Sequence, residues 1–138
     1  MSEEAGEWSD SDAWILASLR GSGKGMSLSR LIGSADGHNH DIPSRAELAS
    51  ALGNLIAAGL AEKTNRGFSI TKQGEALNKH WEEGGLFDWI DKLLPHLQKL
   101  PFPSVDYPLT DAEVRKAVAA YRRRFQGALA KLEAKPVN

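Results

Sequence analysis

Residues 44–77 read SRAELASALGNLIAAGLAEKTNRGFSITKQGEAL, and this stretch decides the fold. Ser44 and Glu47, three positions apart, form a capping box in which each side chain serves the other residue's backbone N–H, so a helix starts here. At about 100° per residue, Leu48, Leu52, Leu55 and Ile56 share one face, with Ala49 and Ala51 on its flanks. Gly59 ends the helix at the position where a left-handed backbone costs glycine little. Residues 61–64 and 68–71 predict two short strands, joined at Asn65, Arg66 and Gly67, whose asparagine and glycine suit a tight hairpin turn. Thr71 is placed to cap a further helix that buries Ala76, Leu77 and Trp81.

Toward the N-terminus, Asp10 or Ser11 can cap a first helix carrying Ala13, Ile15, Leu16 and Leu19, which should stop at Gly21. GSGKG at 21–25 reads as a flexible turn, and residues 26–28 as a short strand leading into a second helix with Leu28, Leu31 and Ile32. That helix is expected to end near Gly33 to Gly37, followed by the loop DGHNHDIP at 36–43. Toward the C-terminus, Phe87, Ile90, Leu93, Leu94 and Leu97 make an apolar helical face that Pro95 should end or kink near Leu94. PFPSVDYP at 101–108 is a stiff extended connector. Thr110 and Glu113 form a second capping box, opening a helix toward Lys135. Its apolar positions Val114, Val118, Tyr121, Phe125, Ala128 and Leu132 step by four and three, a heptad rhythm suited to a dimer seam or to packing on the chain's own core.

The chain has 138 residues, natural for one domain with a modest core. It has no cysteine, which excludes disulfides, thiolate metal sites and cysteine nucleophiles and fits a reducing, cytoplasmic setting. The acidic start MSEEAGEWSDSD lacks the basic and apolar regions of a secretory signal, and no run approaches the ~20 apolar residues that span a bilayer. The net charge is −1, so a surface for nucleic acid must be built from a few positioned side chains. Charge is uneven: residues 1–43 carry −4, residues 44–83 are neutral, and residues 84–138 carry +3.

The run GLAEKTNRGFSITKQGEAL resembles the wing and following helix of winged helix-turn-helix transcriptional regulators of the MarR and PadR type. The resemblance covers about residues 12–82. It implies a mainly α fold with a small β-hairpin wing, a winged helix-turn-helix plus C-terminal helices. The expected organisation is a flexible acidic N-terminus (1–9), a winged-helix domain (10–84) and a C-terminal helical packing or dimerisation region (85–138). It also implies a DNA-binding regulator, homodimeric through its C-terminal helices and without an obligatory cofactor, whose third helix at 44–58 enters the major groove while the wing touches the backbone. The alternative is a winged-helix protein–protein interaction module without DNA binding.

For DNA, Ser50 and Asn54 are the third helix's base-reading candidates, with Ser44 and Arg45 near its N-terminal edge. Lys63, Asn65 and Arg66 on the wing and Lys72 after it are candidates for phosphate, joined by Lys24 or Arg30. Ala46, Ser50, Gly53 and Ala57 form a small-residue stripe that would let another backbone approach closely. Arg122, Arg123 and Arg124 can touch phosphate, though such runs commonly form a solvated helix face. Trp8, Trp14, Trp81 and Trp89 read as core anchors.

Enzyme motifs fail. A phosphate loop needs a glycine where Ser18 stands and a serine or threonine where Gly25 stands. His38 and His40 with Asp36 and Asp41 form the one metal-like cluster, but a third strong ligand is missing, and a polar loop with one histidine tied to backbone is expected instead. No nucleophile elbow, zinc-protease helix or paired carboxylates are present.

Overall fold

The computed structural model describes residues 6–82 and 89–134. It is mainly helical, with helices α1 (Asp10–Ser18), α2 (Leu28–Asn39), α3 (Arg45–Ala57), α4 (Lys72–Glu82), α5 (Trp89–Leu97) and α6 (Asp111–Ala134). A two-stranded antiparallel sheet, β1 (Ala61–Thr64) and β2 (Gly67–Ile70), stands between α3 and α4. Phe87 of the expected apolar helix face lies outside the described residues. Among the described residues no helix is long and apolar enough to cross a membrane.

The centre of the fold is α1. Every residue from Asp12 to Leu19 is buried, and α2, α3, α4 and α5 all pack against this short helix. A helix enclosed on all sides must satisfy its polar groups internally. The Ser18 hydroxyl donates to Trp14 O, Ser34 Oγ donates to Ser18 O, and Trp14 Nε1 donates to Ala35 O at 2.8 Å. The N-cap is Ser9, one residue before the expected cap, in a capping box with Asp12. Trp8 is 2% exposed, donates to Leu100 O and meets Phe102 edge to face. Residues 8 and 9, expected in a flexible end, therefore belong to the fold.

The box at Ser44 and Glu47 forms as expected: Glu47 N–H donates to Ser44 Oγ and Ser44 N–H to Glu47 Oε1. Leu48, Leu52 and Leu55 are buried. Gly59, with φ 79°, turns the chain into β1. The hairpin pairs Ala61 with Ile70 and Thr64 with Gly67, leaving Asn65 and Arg66 as its loop. Its positive φ falls on Gly67 at 119°, not on Asn65. There a side chain would also strike Met26 O, because residue 26 pairs with Phe68 in an isolated bridge across the outer side of β2. As expected, Thr71 caps α4: its hydroxyl accepts from Gly74 N–H.

Three expectations need correction. The second helix does not stop at Gly33–Gly37 but runs to Asn39, and the expected loop 36–43 shrinks to residues 40–44. Glycine's low helix propensity is overridden by packing, since Gly33 gives room for the Tyr121 ring of α6. The helix around Pro95 does not end at Leu94; α5 continues to Leu97 because Leu93 and Leu97, on either side of the proline, are both fully buried. On α4, Trp81 is buried as expected, but Ala76 is exposed, Leu77 is half-buried, and Asn78 joins the buried side.

Asn78 is a polar hinge of the core. Its amide donates to Leu16 O at 3.1 Å and its carbonyl accepts from Trp81 Nε1 at 2.8 Å. Replacing Asn78→Leu strands both partners inside the core, at a cost of about 2 kcal/mol. Urea denaturation should show that loss, whereas Lys79→Ala at the exposed neighbouring position should stay within about 0.5 kcal/mol of the parent.

Candidate nucleic-acid interface

The expected site residues separate into two groups. Lys63, Asn65 and Arg66 sit on the hairpin and are exposed. Lys63 Nζ donates to Thr64 O and lies over the Phe68 ring, while the Arg66 backbone N–H donates to Thr64 Oγ1, a bond within the tip. The tip abuts the 21–25 turn so closely that a β-carbon on Gly25 would stand 2.5 Å from Arg66 Cβ. Lys24 is therefore the hairpin's neighbour. The bridge at Met26 leads directly into Ser27, the N-cap of α2, whose hydroxyl accepts from Arg30 N–H. From the other side Arg124 of α6 donates to Ser29 Oγ at 2.8 Å and to Ser29 O at 3.2 Å.

One edge of the molecule thus gathers Lys24, Arg30, Arg66 and Arg124 around the N-terminus of α2. The helix end adds its positive dipole, so the edge is suited to an anion with several oxygens, such as the backbone of a nucleic acid. Of these residues Arg66 is a phosphate candidate from sequence, joined there by Lys24 or Arg30. Arg124 belonged to a run expected to be a solvated face; only the contact of α6 with α2 places it here.

Lys72 lies elsewhere. It lines a cleft of about 530 Å³ with Arg20, Glu75 and Lys79. Arg20 stacks over the Trp81 ring. Ser44 spends its hydroxyl on the cap of α3, and Arg45 pairs with Asp111 at 3.2 Å, tying the start of α3 to the start of α6.

The face of α3 expected to read bases is not open. Asn54 is 1% exposed, and its side-chain carbonyl accepts from Val105 N–H at 2.8 Å. Two residues on, Tyr107 N–H donates to Ala49 O at 2.8 Å, and the Tyr107 ring meets Phe68 edge to face. Residues 103–107 therefore lie as a strap along α3. Gly53 makes this possible: any side chain there would sit 2.0 Å from Val105 O. The small-residue stripe does accept a close backbone, but that backbone is the chain's own. In this conformation Asn54 is a strap anchor and cannot reach a base edge, and Ser50 is half-buried beside it.

The strap is held modestly. Two hydrogen bonds contribute about 0.5–1.5 kcal/mol each and the aromatic pair a similar amount. Ser104 opposes them with φ 58°, a left-handed backbone that costs a non-glycine residue about 1 kcal/mol or more.

Asp12 lies beneath Asn54. It is 2% exposed; Oδ2 accepts from Ser9, and Oδ1 has no hydrogen-bond partner. Burial raises its pKa above the ordinary 3.8, against the lowering effect of Ser9 and of the Asn54 amide. His38 is likewise accounted for by structure, its Nδ1–H donating to Ser34 O and its ring meeting Trp81. Among the described residues no group of three or more metal-ligating side chains is assembled.

The raised Asp12 pKa has a definite sign. The fold favours the protonated acid, so this contribution to stability is full below pH 3.8 and is lost as pH rises through the higher folded value. Asp12→Asn keeps an oxygen for Ser9 without the charge. Its stability advantage over the parent should be small at pH 3.5 and grow to a plateau by neutral pH, as read from paired urea melts; a difference that does not change with pH would contradict this. No protein-family model, curated protein or solved structure matches this chain, and the role of the basic edge rests on its own chemistry.

Proposed function

We propose that this chain is a winged-helix protein that binds double-stranded DNA, in the manner of a transcriptional regulator, through the edge that carries Lys24, Arg30, Arg66 and Arg124. The single observation that carries the reading is the convergence of the hairpin tip, the 24–27 segment and Arg124 on the N-terminus of α2. The winged-helix reading is supported by the order α1, bridge at Met26, α2, α3, β1, β2, in which the bridge takes the place of a third short strand. With four cations on the edge, duplex binding is electrostatic and falls steeply with salt. Dimerisation adds a second edge on the same duplex and multiplies the affinity.

The dimer is proposed to form through the outer half of α6. There the apolar positions of α6 divide: Val114 and, beside the heptad, Ala117 are buried in the chain's own core, while the heptad's Phe125 and Leu132 and the neighbouring Leu129 are 53%, 64% and 44% exposed. A protein-interaction module is the second reading, favoured by one observation: the face of α3 that would read bases is already occupied by extended polypeptide.

Fluorescence anisotropy of a mixed-sequence duplex should show binding at low salt that weakens as salt rises. Arg66→Ala should weaken it and reduce the slope of log affinity against log salt by about one. Absence of binding at low salt would leave the interaction module as the better reading. Leu129→Asp should convert a dimer to a monomer in sedimentation equilibrium without lowering the thermal midpoint of the monomer fold; a parent that is already monomeric would overturn the dimer.

A further inference from the structure

We infer that residues 103–107 are an autoinhibitory cover on α3, and that their release, with the rest of the fold intact, opens a base-reading surface. This rests on the DNA-binding reading above. The strap hides the residues on α3 best suited to a base edge: the side-chain carbonyl of Asn54, one half of the amide that can bond an adenine in bidentate fashion, accepts from Val105 N–H, while its NH2 donates to Ser50 Oγ beside it. Its attachment is through alternate backbone N–H groups at residues 105 and 107, with Val105 itself 43% exposed and Ser104 held at φ 58°. Pro103 and Pro108 flank this segment; neither has an N–H to add, and both keep the freed chain extended.

Both ends of the strap stay anchored when it lifts. Leu100 remains bonded to Trp8 and Leu97, and Leu109 is buried at the start of α6. The cations of the basic edge stand on other elements, and the strap meets that edge through the Tyr107 ring on Phe68 of the hairpin. With the strap down the protein grips phosphate without reading sequence; with it up, α3 adds base contacts. The apparent affinity is then reduced by the fraction of molecules whose strap is open.

Gly53 provides the test. Gly53→Ala strengthens α3 as a helix, because alanine is the better helix former, yet places a methyl where Val105 O now lies. Tyr107→Ala is the second variant, removing the ring contact with Phe68 without touching α3. In the full-length protein, amide hydrogen exchange at residues 105 and 107 should accelerate in both variants. Each should bind mixed-sequence duplex about tenfold more tightly than the parent and should enrich a preferred sequence from a random duplex pool that the parent does not. Faster exchange with unchanged or weaker duplex binding would overturn the proposal, as would unchanged exchange in both variants. If the parent, its strap variants and Arg66→Ala all fail to bind duplex at low salt, the DNA reading itself falls and the cover falls with it; a parent that binds while the strap variants gain nothing condemns the cover alone. Should Gly53→Ala not fold, as seen by circular dichroism, Tyr107→Ala decides by the same readouts.

Discussion

The burial of α1 from Asp12 onward is the constraint on which the rest depends. A nine-residue helix has too little surface to organise a core from one face, and here eight consecutive residues from Asp12 to Leu19 are enclosed by four other helices. Such enclosure is stable only when the helix's polar atoms are answered by its neighbours. Ser34 of α2 bonds Ser18 O, Trp14 bonds Ala35 O, and Asn78 of α4 bonds Leu16 O. Each bond fixes the position of an element that carries a piece of the surface. The placement of α2 puts its N-terminus at the hairpin, and the placement of α3 sets the face that the strap covers.

Electrostatics follows from that arrangement and not from composition. A chain with a net charge of −1 has no field that would draw nucleic acid, and its cations are scattered from residue 20 to residue 135. Folding concentrates four of them, from three separate stretches, at one helix end. Arg124 is the clearest case. As part of Arg122, Arg123 and Arg124 it has no distinguishing pattern, yet its two bonds to Ser29 make it part of the edge.

The face of α3 shows how a surface can be built for close approach and then be used internally. Alanine, serine and glycine at 46, 50, 53 and 57 leave backbone accessible, and an extended segment rich in proline supplies the matching backbone N–H groups. Two hydrogen bonds and one aromatic pair hold the segment against the cost of a left-handed serine. Asp12 sits beneath the same anchor, an incompletely bonded carboxylate whose charge the fold disfavours.

Local signals were enough for much of this architecture. The capping boxes at Ser44 and Thr110, the glycine at 59, the hairpin between 61 and 70 and the cap at Thr71 are short-range chemistry, in which partners lie within three or four residues of each other. Such features are legible because nothing distant is required to satisfy them. The errors fall where distant residues intervene. The glycines of α2 and the proline of α5 are helix breakers by propensity, but Tyr121 packs into the space at Gly33, and buried leucines grip α5 on both sides of Pro95. Asn54 reads as a base contact because asparagine bonds base edges and falls on the face of α3 opposite its leucines; only the return of residues 103–107, some fifty positions later, turns it into a buried anchor. The sequence by itself determined the helices, the hairpin and the supply of cations, since these depend on neighbouring residues. Tertiary structure alone decided which cations share an edge and which face of α3 is covered, because both are contacts between segments whose separation along the chain carries no local signal.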